Sequence, residues 1–586
     1  MTISLFQYDI LLPDTFRILY LVPAALPESP LCGNIVTKQL PVPGAAGKPS
    51  NVAGDDILFE ALSYTWGTTV AEDGLIIRIL DQAVPITRNL YDALLHIRHV
   101  TEIRTLWIDQ ICINQDNTPE RNSQVAMMSR IYQSAVRVLI WLGNPDDASI
   151  DPFKFQKILF REANAARRKA PTTNTGDYES IEQLRYGSWS PVMGSVRSLA
   201  FQSLFEKPWF TRAWVIQEAA LASDALVCCG SYNTPFRRFD RAISVMRKAG
   251  IMSTPTSMSL IQLIRTRRST SDAPESLSLA DLLHLTYELE AKLPHDKLYA
   301  LLGLVSDGGD PAYTPQYQED VTDVYHKATA RIITASSSPD ILACVCWPKN
   351  FGKLPSWVPD WTCPPQVSKP FASLKSASLS HHIVISSGRI ITHGRRLDTI
   401  HSIGSYMYKT DLNADLEEDA AARWDDMMVV SAQAHSTPFD LVRRKLLIAV
   451  NLESATEEER TTRLYDAFFS PKVRRKDLTL TDWDSIATDV SRPSDMEVAW
   501  AGEYRFMIGD TCHARAAMLT ARKKYLILGP HGVRVGDVVW KLANSELCFI
   551  LRPGEEVSTW SLIGACYLQS PRAGLTEEPW QSLVIM

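Results

Sequence analysis

Residues 106–143 read LWIDQICINQDNTPERNSQVAMMSRIYQSAVRVLIWLG, and this pattern predicts the unit around which the chain folds. The apolar run at 106–108 ends in a polar loop, after which Thr118 is the expected N-cap of a helix and Pro119 its first residue. The apolar run at 138–141 then predicts a second buried strand. Such a βαβ unit places its polar loop at the carboxyl end of a strand, where open α/β sheets bind ligands.

The predicted helix between the two strands has one apolar face. Four residues recur along it at helical spacing: Val125, Met128, Tyr132 and Ala135. Residues at this spacing share one side of a helix, so we expect that side to lie on the sheet.

The loop after the first of these strands carries polar candidates for a binding site. Asp109, Gln110 and Asn114 follow the strand closely. Asp109 in particular either contacts a ligand or caps its own loop, and the sequence leaves both interpretations open.

A further strand is predicted at 57–66, and its end carries Ser63, Tyr64 and Trp66. Because carboxyl ends of parallel strands meet at one sheet edge, we expect these side chains near Asp109. The alternative is that the two aromatic residues are anchors of the core or of a turn.

A carboxylate in an apolar stripe is the next candidate. In the segment KPWFTRAWVIQEAALA (207–222), helical spacing places Trp214, Glu218 and Leu221 on one face. Burial of an unpaired charge is costly, so Glu218 either pairs with a cation such as Arg212 or lines a cavity.

Length and composition indicate a globular protein with two or three packed domains. The chain has 586 residues, of which 45% are hydrophobic and 22% charged. We divide it into an N-terminal lead-in with one strand (1–50), an α/β core (51–235), a helical extension (236–365) and a C-terminal α+β domain (366–586). The last of these is expected to contain a helical stretch at 414–467 and a small β module at about 523–568.

Charge and cysteine content exclude several classes of function. A net charge of −6 argues against a nucleic-acid-binding surface spread over the whole protein. The ten cysteines form no zinc motif, so reduced, mostly buried thiols are expected and no metal is predicted. No signal peptide or membrane span is predicted, which favours the cytoplasm, with the nucleus as the alternative.

Two features of the helical extension have simple interpretations. The basic run at 265–268 is typical of a solvated helix face, and Asp296 is typical of a helix cap. A catalytic pair of His295 and Asp296 is the alternative, but no nucleophile motif such as GxSxG accompanies it.

Several ordered blocks of this sequence resemble the fungal heterokaryon-incompatibility (HET) domain. Weaker matches at 296–304 and 354–361 resemble later parts of the same proteins, so the resemblance covers about residues 15–362. The C-terminal segments LGPHGVRVGDVV, FILRP and LIGACY resemble the β module that closes many of them. The four strongest blocks are FEALSYTWG (59–67), LWIDQICINQ (106–115), IYQSAVRVLIWLG (131–143) and KPWFTRAWVIQEAALA (207–222).

This resemblance implies a fold and a site. The HET domain is similar, distantly, to the TIR domain, whose flavodoxin-like parallel sheet supports either NAD cleavage or assembly into signalling scaffolds. Carried over by position, the catalytic glutamate of TIR domains corresponds to Glu218. Tyr64, Trp66 or Trp214 would then stack on an aromatic ring of the substrate, and amides near Thr118 would hold its pyrophosphate.

Three functions therefore remain open. The first is an effector of non-self recognition and cell death that hydrolyses NAD through Glu218, with NAD as substrate and no bound cofactor. The second is a non-catalytic module that signals by self-association after an unidentified trigger protein acts on it. The third is a HET-like scaffold that performs other small-molecule chemistry in a biosynthetic pathway.

Overall fold

The computed structural model describes residues 4–26, 28–40, 58–67, 74–169, 195–248, 254–269, 277–363, 382–407, 515–523, 525–545, 547–569 and 579–586. The chain divides into two compact units, Met1–Asp320 and Val321–Met586. The helical stretch predicted at 414–467 lies outside the described residues. Within the described part of the chain, no helix combines the length and the apolar character that crossing a membrane requires.

The first unit is an α/β structure built on one ten-stranded sheet. The strand order is β1-β6-β5-β3-β2-β7-β4-β8-β9-β10. The segment β7-β4-β8-β9 is parallel throughout, whereas β2 runs antiparallel to both β3 and β7. The strands are β1 Ser4–Leu5, β2 Thr15–Leu21, β3 Cys32–Gln39, β4 Glu60–Ser63, β5 Ile76–Ile79, β6 Gln82–Pro85, β7 Arg104–Trp107, β8 Arg137–Trp141, β9 Ala225–Cys229 and β10 Tyr232–Pro235.

Helices cover this sheet and continue beyond it. They are α1 Arg88–Ile97, α2 Asp109–Cys112, α3 Thr118–Ser134, α4 Phe155–Lys169, α5 Val196–Gln202, α6 Trp214–Ala220, α7 Phe236–Lys248, α8 Thr256–Ser269, α9 Leu279–Leu285 and α10 Asp296–Tyr299. A prediction of mixed α/β structure with large helical additions is therefore confirmed at this level.

The βαβ unit predicted at 106–143 is present as β7, α3 and β8. Met128, Tyr132 and Ala135 are buried as expected, while Val125 is only half-buried. The predicted N-cap was wrong by one position, because Asn117 and not Thr118 accepts the backbone N–H of Glu120, at 3.1 Å. Adjacent polar residues are equivalent candidates in sequence, and only the backbone conformation selects between them.

The N-terminal region contributes more to the sheet than the single strand expected there. β2 and β3 pair antiparallel along their whole length, and β2 lies beside β7. Arg17 of β2 forms a buried ion pair with Glu120 of α3, with a shortest N···O distance of 2.5 Å. This pair fixes the start of α3 against the sheet.

One expectation for the helical extension holds only in part and another was wrong. In the basic run, Thr266 and Arg268 are exposed, whereas Arg265 is half-buried and its Nη1 donates to the carbonyl oxygens of Ala219 and Ala222 at 2.8 and 3.0 Å. Asp296 is not the cap of α10, since the N-cap position is His295 and the Asp296 carboxyl accepts the hydroxyl of Tyr317 at 2.6 Å. Both charged groups therefore serve tertiary contacts that local sequence patterns do not reveal.

The second unit begins with a helix and continues as an eight-stranded sheet. Its main path is β11-β12-β13-β14-β17-β16-β15, and β18 pairs with β12 and β17. The described elements are α11 Val321–Ser336, β11 Val384–Ser386, β12 Arg389–Met407, β13 Arg515–Thr520, β14 Leu526–Pro530, β15 Val538–Leu542, β16 Cys548–Pro553, β17 Thr559–Gln569 and β18 Gln581–Ile585.

An ion pair between Arg552 and Asp537 joins two segments of the β module. Arg552 of the FILRP segment donates two hydrogen bonds of 2.8 Å to the carboxylate of Asp537, which follows Gly536 at a turn. Gly536 has φ +98°, a conformation that side chains other than glycine rarely adopt. The Gly-Asp and Arg-Pro elements of the motif are thus explained by one turn and one bidentate ion pair.

Candidate functional site

Most of the predicted site residues meet at the carboxyl ends of β4 and β7, against α6. We call this group the carboxylate cluster. Two of its members, Ser63 and Tyr64, are buried, whereas Trp66, Asp109 and Arg212 are each partly exposed. The cluster consists of Ser63, Tyr64, Trp66, Asp109, Gln110, Arg212 and Glu218.

Glu218 is the more deeply enclosed of the two carboxyl groups in the carboxylate cluster. Its residue is 3% exposed, and the hydroxyl of Ser63 donates a short hydrogen bond to its Oε2. Ser63 in turn accepts the indole N–H of Trp209 at 2.8 Å. The hydroxyl of Tyr132 lies beside the Glu218 carboxyl, but it donates its hydrogen to the backbone oxygen of Leu62 at 3.1 Å.

The pKa of Glu218 is raised to about 7. Burial is the largest cause, since it disfavours the charged carboxylate; the charge of Arg212 and the bond from Ser63 oppose it in part. The nearby Asp109 raises the pKa further by repulsion between like charges. A carboxyl with this pKa is partly ionised at neutral pH, as acid–base and electrostatic catalysis require.

Asp109 fixes both its own loop and the ring of Trp66. Its Oδ1 accepts the backbone N–H of Gln110, and its Oδ2 accepts the indole N–H of Trp66, both at 2.8 Å. Asp109 thus contributes to the order of its own loop, and ligand contact remains a separate prediction. Burial raises the pKa of this carboxyl, while Arg212 and the Trp66 bond act in the opposite direction.

Arg212 supplies the positive charge between the two carboxyls. Its Nη1 donates to the backbone oxygen of Tyr64, which anchors the guanidinium at the end of β4. The charge of Arg212 lowers the pKa of both Asp109 and Glu218. One guanidinium charge thus acts on both carboxyl groups.

Gln110 is a buried member of the carboxylate cluster that accepts two hydroxyl groups. Its Oε1 accepts the hydroxyl of Tyr64 at 3.1 Å and the hydroxyl of Thr87 at 3.3 Å. Burial raises the pKa of Tyr64 well above its ordinary value, so this hydroxyl remains a neutral donor. The aromatic residue is therefore held as a rigid support.

Two predicted site residues belong to other networks. Asn114 organises the loop before α3, where its Oδ1 accepts the N–H of Asp116 at 3.2 Å. The indole of Trp214 lies beside the Asp296 carboxyl and lowers the pKa of that group. Helical spacing correctly indicated a buried face for Trp214, but it could not identify the partner.

The start of α3 is already filled by the protein's own groups. Asn117 accepts the N–H of Glu120, and the Glu120 carboxylate accepts the N–H of Asn114 at 2.7 Å. Because a carboxylate occupies this helix end, the amides near Thr118 are a poor site for pyrophosphate, contrary to expectation.

Three residues that contact the carboxylate cluster were missed by the sequence analysis. Tyr132 was assigned to an apolar face, although its hydroxyl distinguishes it from the rest of that face. Trp209 lies in the KPW segment, and the sequence does not indicate that its indole N–H donates to Ser63. Lys292 lies in the helical extension, and its ammonium is 5.6 Å from the ring centroid of Trp66.

Comparison with known proteins shows which family this part of the chain resembles. Residues 59–218 match the family model described as Heterokaryon incompatibility protein (HET). The match begins at Phe59, immediately before β4, and ends at Glu218, so it contains every member of the carboxylate cluster. This segment is therefore similar to the HET family, as the sequence resemblance predicted.

One curated relative extends the similarity beyond this domain. The chain is 28% identical over 434 residues to "Heterokaryon incompatibility protein 6, OR allele" of Neurospora crassa, and the alignment covers 61% of this chain. It covers 60% of the relative, so the chain spans somewhat less than two thirds of that protein's length. No solved structure gives a significant match.

Proposed function

We propose that this chain acts in fungal heterokaryon incompatibility and that its HET domain does so by cleaving the N-glycosidic bond of NAD. The observation that carries the proposal is the position of the carboxylate cluster. It lies wholly within the HET match, at the carboxyl ends of parallel strands, and is centred on a carboxyl with a pKa of about 7.

The order of the parallel strands supports a TIR-like assignment. Numbered along the chain, β4, β7, β8 and β9 have the spatial order 2-1-3-4. Flavodoxin-like sheets begin with this order, and they bind ligands where the order reverses. Here the reversal lies between β4 and β8, and Ser63, Tyr64 and Trp66 of the cluster stand at the carboxyl end of β4.

The chemistry of the cluster fits this reaction. When the bond between ribose C1′ and nicotinamide breaks, its electron pair neutralises the pyridinium nitrogen and positive charge develops on the ribose. The ionised Glu218 carboxylate stabilises that charge in a site from which most water is excluded. Water then bonds to C1′ and releases a proton.

Substrate binding would replace contacts that Glu218 now makes. Its carboxyl accepts the hydroxyl of Ser63. A ribose hydroxyl is a donor of the same kind, so the sugar could take over this bond without leaving the carboxylate unsatisfied. Arg212 would help to keep Glu218 ionised in this complex.

The same hydrogen bonds favour a second candidate function. A buried carboxyl held by the hydroxyl of Ser63 also fits a rigid core of a non-catalytic module that signals by self-association. In that case Glu218 stabilises the fold and no nucleotide is consumed.

Induced expression in a filamentous fungus distinguishes the two. We expect the full chain to arrest growth together with a fall in cellular NAD, and Glu218→Gln to abolish both effects. Glu102→Gln, at an exposed position, is the matched control and should act like the wild type. The measurements are hyphal viability and NAD content from the same cultures.

Each other outcome has a defined meaning. Growth arrest with constant NAD, or equal arrest by Glu218→Gln at equal expression, contradicts cleavage and supports the self-associating module. Normal growth with all three forms, at expression confirmed by blotting, contradicts the incompatibility function itself.

A further inference from the structure

The indole ring of Trp66 already carries a cation of the chain itself. The Lys292 Nζ lies 5.6 Å from the ring centroid, within the range of cation–π attraction. Lys292 is exposed and Trp66 is partly exposed, so the contact lies at the surface of the carboxylate cluster. The ring face is therefore both accessible and able to hold positive charge.

Backbone pairing explains why Lys292 reaches this ring. The N–H of Ala213 donates to the oxygen of Glu290 at 2.9 Å, and the Glu290 N–H donates to Thr211. Glu290, two residues before Lys292, is thus hydrogen-bonded to the residues on either side of Arg212. A residue outside the HET match is in this way brought to the edge of the cluster.

A carboxylate holds the indole N–H at the edge of the Trp66 ring. Asp109 accepts the Trp66 indole N–H at 2.8 Å, which fixes the ring plane. A hydrogen bond to a charged acceptor also polarises the indole and makes its face more negative. Both effects strengthen the attraction of the ring for a cation.

The two carboxylates of the cluster carry more negative charge than Arg212 alone can offset. Asp109 and Glu218 carry two negative charges when both are ionised, and Arg212 offsets one of them. Lys292, placed on Trp66, offsets the second. A ligand cation in the place of the ammonium would preserve this balance, whereas a neutral ligand would not.

We propose that Trp66 and Asp109 form a subsite for a flat organic cation, which displaces the Lys292 ammonium from the ring. Displacement is cheap because an exposed ammonium regains its water, while a flat cation gains stacking and charge attraction together. This inference rests on the proposed function, for which it names the recognised group. An oxidised nicotinamide ring is a flat cation, whereas the reduced ring is neutral.

Equilibrium dialysis of the full chain tests the subsite with two small probes. The probes are 1-methylnicotinamide, which is a cation, and nicotinamide, which is neutral and otherwise closely similar. We expect the wild type to bind the cation roughly 5- to 30-fold more tightly than the neutral probe. Neither probe contains a glycosidic bond, so binding does not depend on cleavage.

Variants assign any preference to the named residues. Lys292→Ala should tighten binding of the cation about 2- to 5-fold, because it removes the competing ammonium. Lys154→Ala, at an exposed lysine, is the matched control and should leave binding unchanged. Trp66→Leu should abolish the preference, and Trp66→Phe should retain part of it because a ring face remains.

Equal affinity of the wild type for both probes, including no binding of either, overturns the subsite. So does a Lys292→Ala variant that binds the cation no better than the wild type, because this surface substitution is not expected to disturb folding. Cation preference without NAD cleavage contradicts the proposed function alone. Cleavage without cation preference contradicts the subsite alone.

Discussion

Arg17→Ala is expected to destabilise the first unit by about 3–5 kcal/mol, because it leaves the Glu120 carboxylate buried without its partner. The two side chains are 2% and 6% exposed. Arg17 also donates to the carbonyl oxygen of Cys112 at 3.1 Å, so the substitution removes support from the loop before α3 as well. The measurement is amide hydrogen exchange of β2 and α3, which reports opening of this unit directly.

Two further variants make the result specific. Arg17→Met combined with Glu120→Leu should recover at least half of the loss, because an apolar pair of similar volume avoids an uncompensated charge. Arg161→Ala removes an arginine whose side chain is 74% exposed and should change protection by less than about 1 kcal/mol. If Arg17→Ala were as mild as this control, the ion pair would not hold α3 to the sheet.

Glu218 should make the first unit less stable as pH rises from 4.5 to about 7. Its pKa is raised from 4.5 to about 7 in the fold, so the folded chain retains a proton that the unfolded chain releases. Its stabilising contribution is therefore complete below pH 4.5 and is lost as pH approaches 7. At 1.36 kcal/mol for each unit of pKa, the loss is about 3 kcal/mol.

Urea unfolding of wild type and Glu218→Gln between pH 4 and 8 isolates this contribution, because other titrating groups act on both proteins. The difference in unfolding free energy between them should change by about 3 kcal/mol across this window, falling for the wild type. Glu102→Gln should run parallel to the wild type. A constant difference between wild type and Glu218→Gln would mean that this carboxyl titrates normally.

Much of the site followed from the sequence because parallel strands bring their carboxyl ends together. The apolar runs fixed the positions of β4, β7 and β8 closely enough to predict that Ser63, Trp66 and Asp109 converge. Glu218 was found because a carboxylate in an apolar stripe requires a partner. These inferences use periodicity and the cost of burial, both of which are local properties of the chain.

The remainder depended on contacts between distant segments. Trp214 has the same helical face as Glu218 in sequence, yet its indole lies beside Asp296, which no local pattern links to it. Lys292 reaches Trp66 only because the chain at Glu290 pairs with the segment before α6. Tyr132 was hidden by its apolar neighbours, since periodicity does not distinguish a ring from the hydroxyl that it carries.

The N-terminal strands show the same limit. β2 was recognisable as an apolar run, but its place beside β7 and its ion pair to α3 depend on tertiary pairing. The parallel core was thus more predictable than the antiparallel strands that extend it, because each βαβ step constrains where its next strand lies.

Nicotinamide release from NAD by the purified chain tests the central claim most directly. We expect release by the wild type that increases as pH rises through about 7, because the ionised form of Glu218 is the active one. Removal of this carboxylate in Glu218→Gln should lower the rate at least 100-fold, and Glu102→Gln should retain it. No release at any pH or protein concentration by folded wild type, or equal release by Glu218→Gln, would contradict the assignment of Glu218 as a catalytic carboxylate.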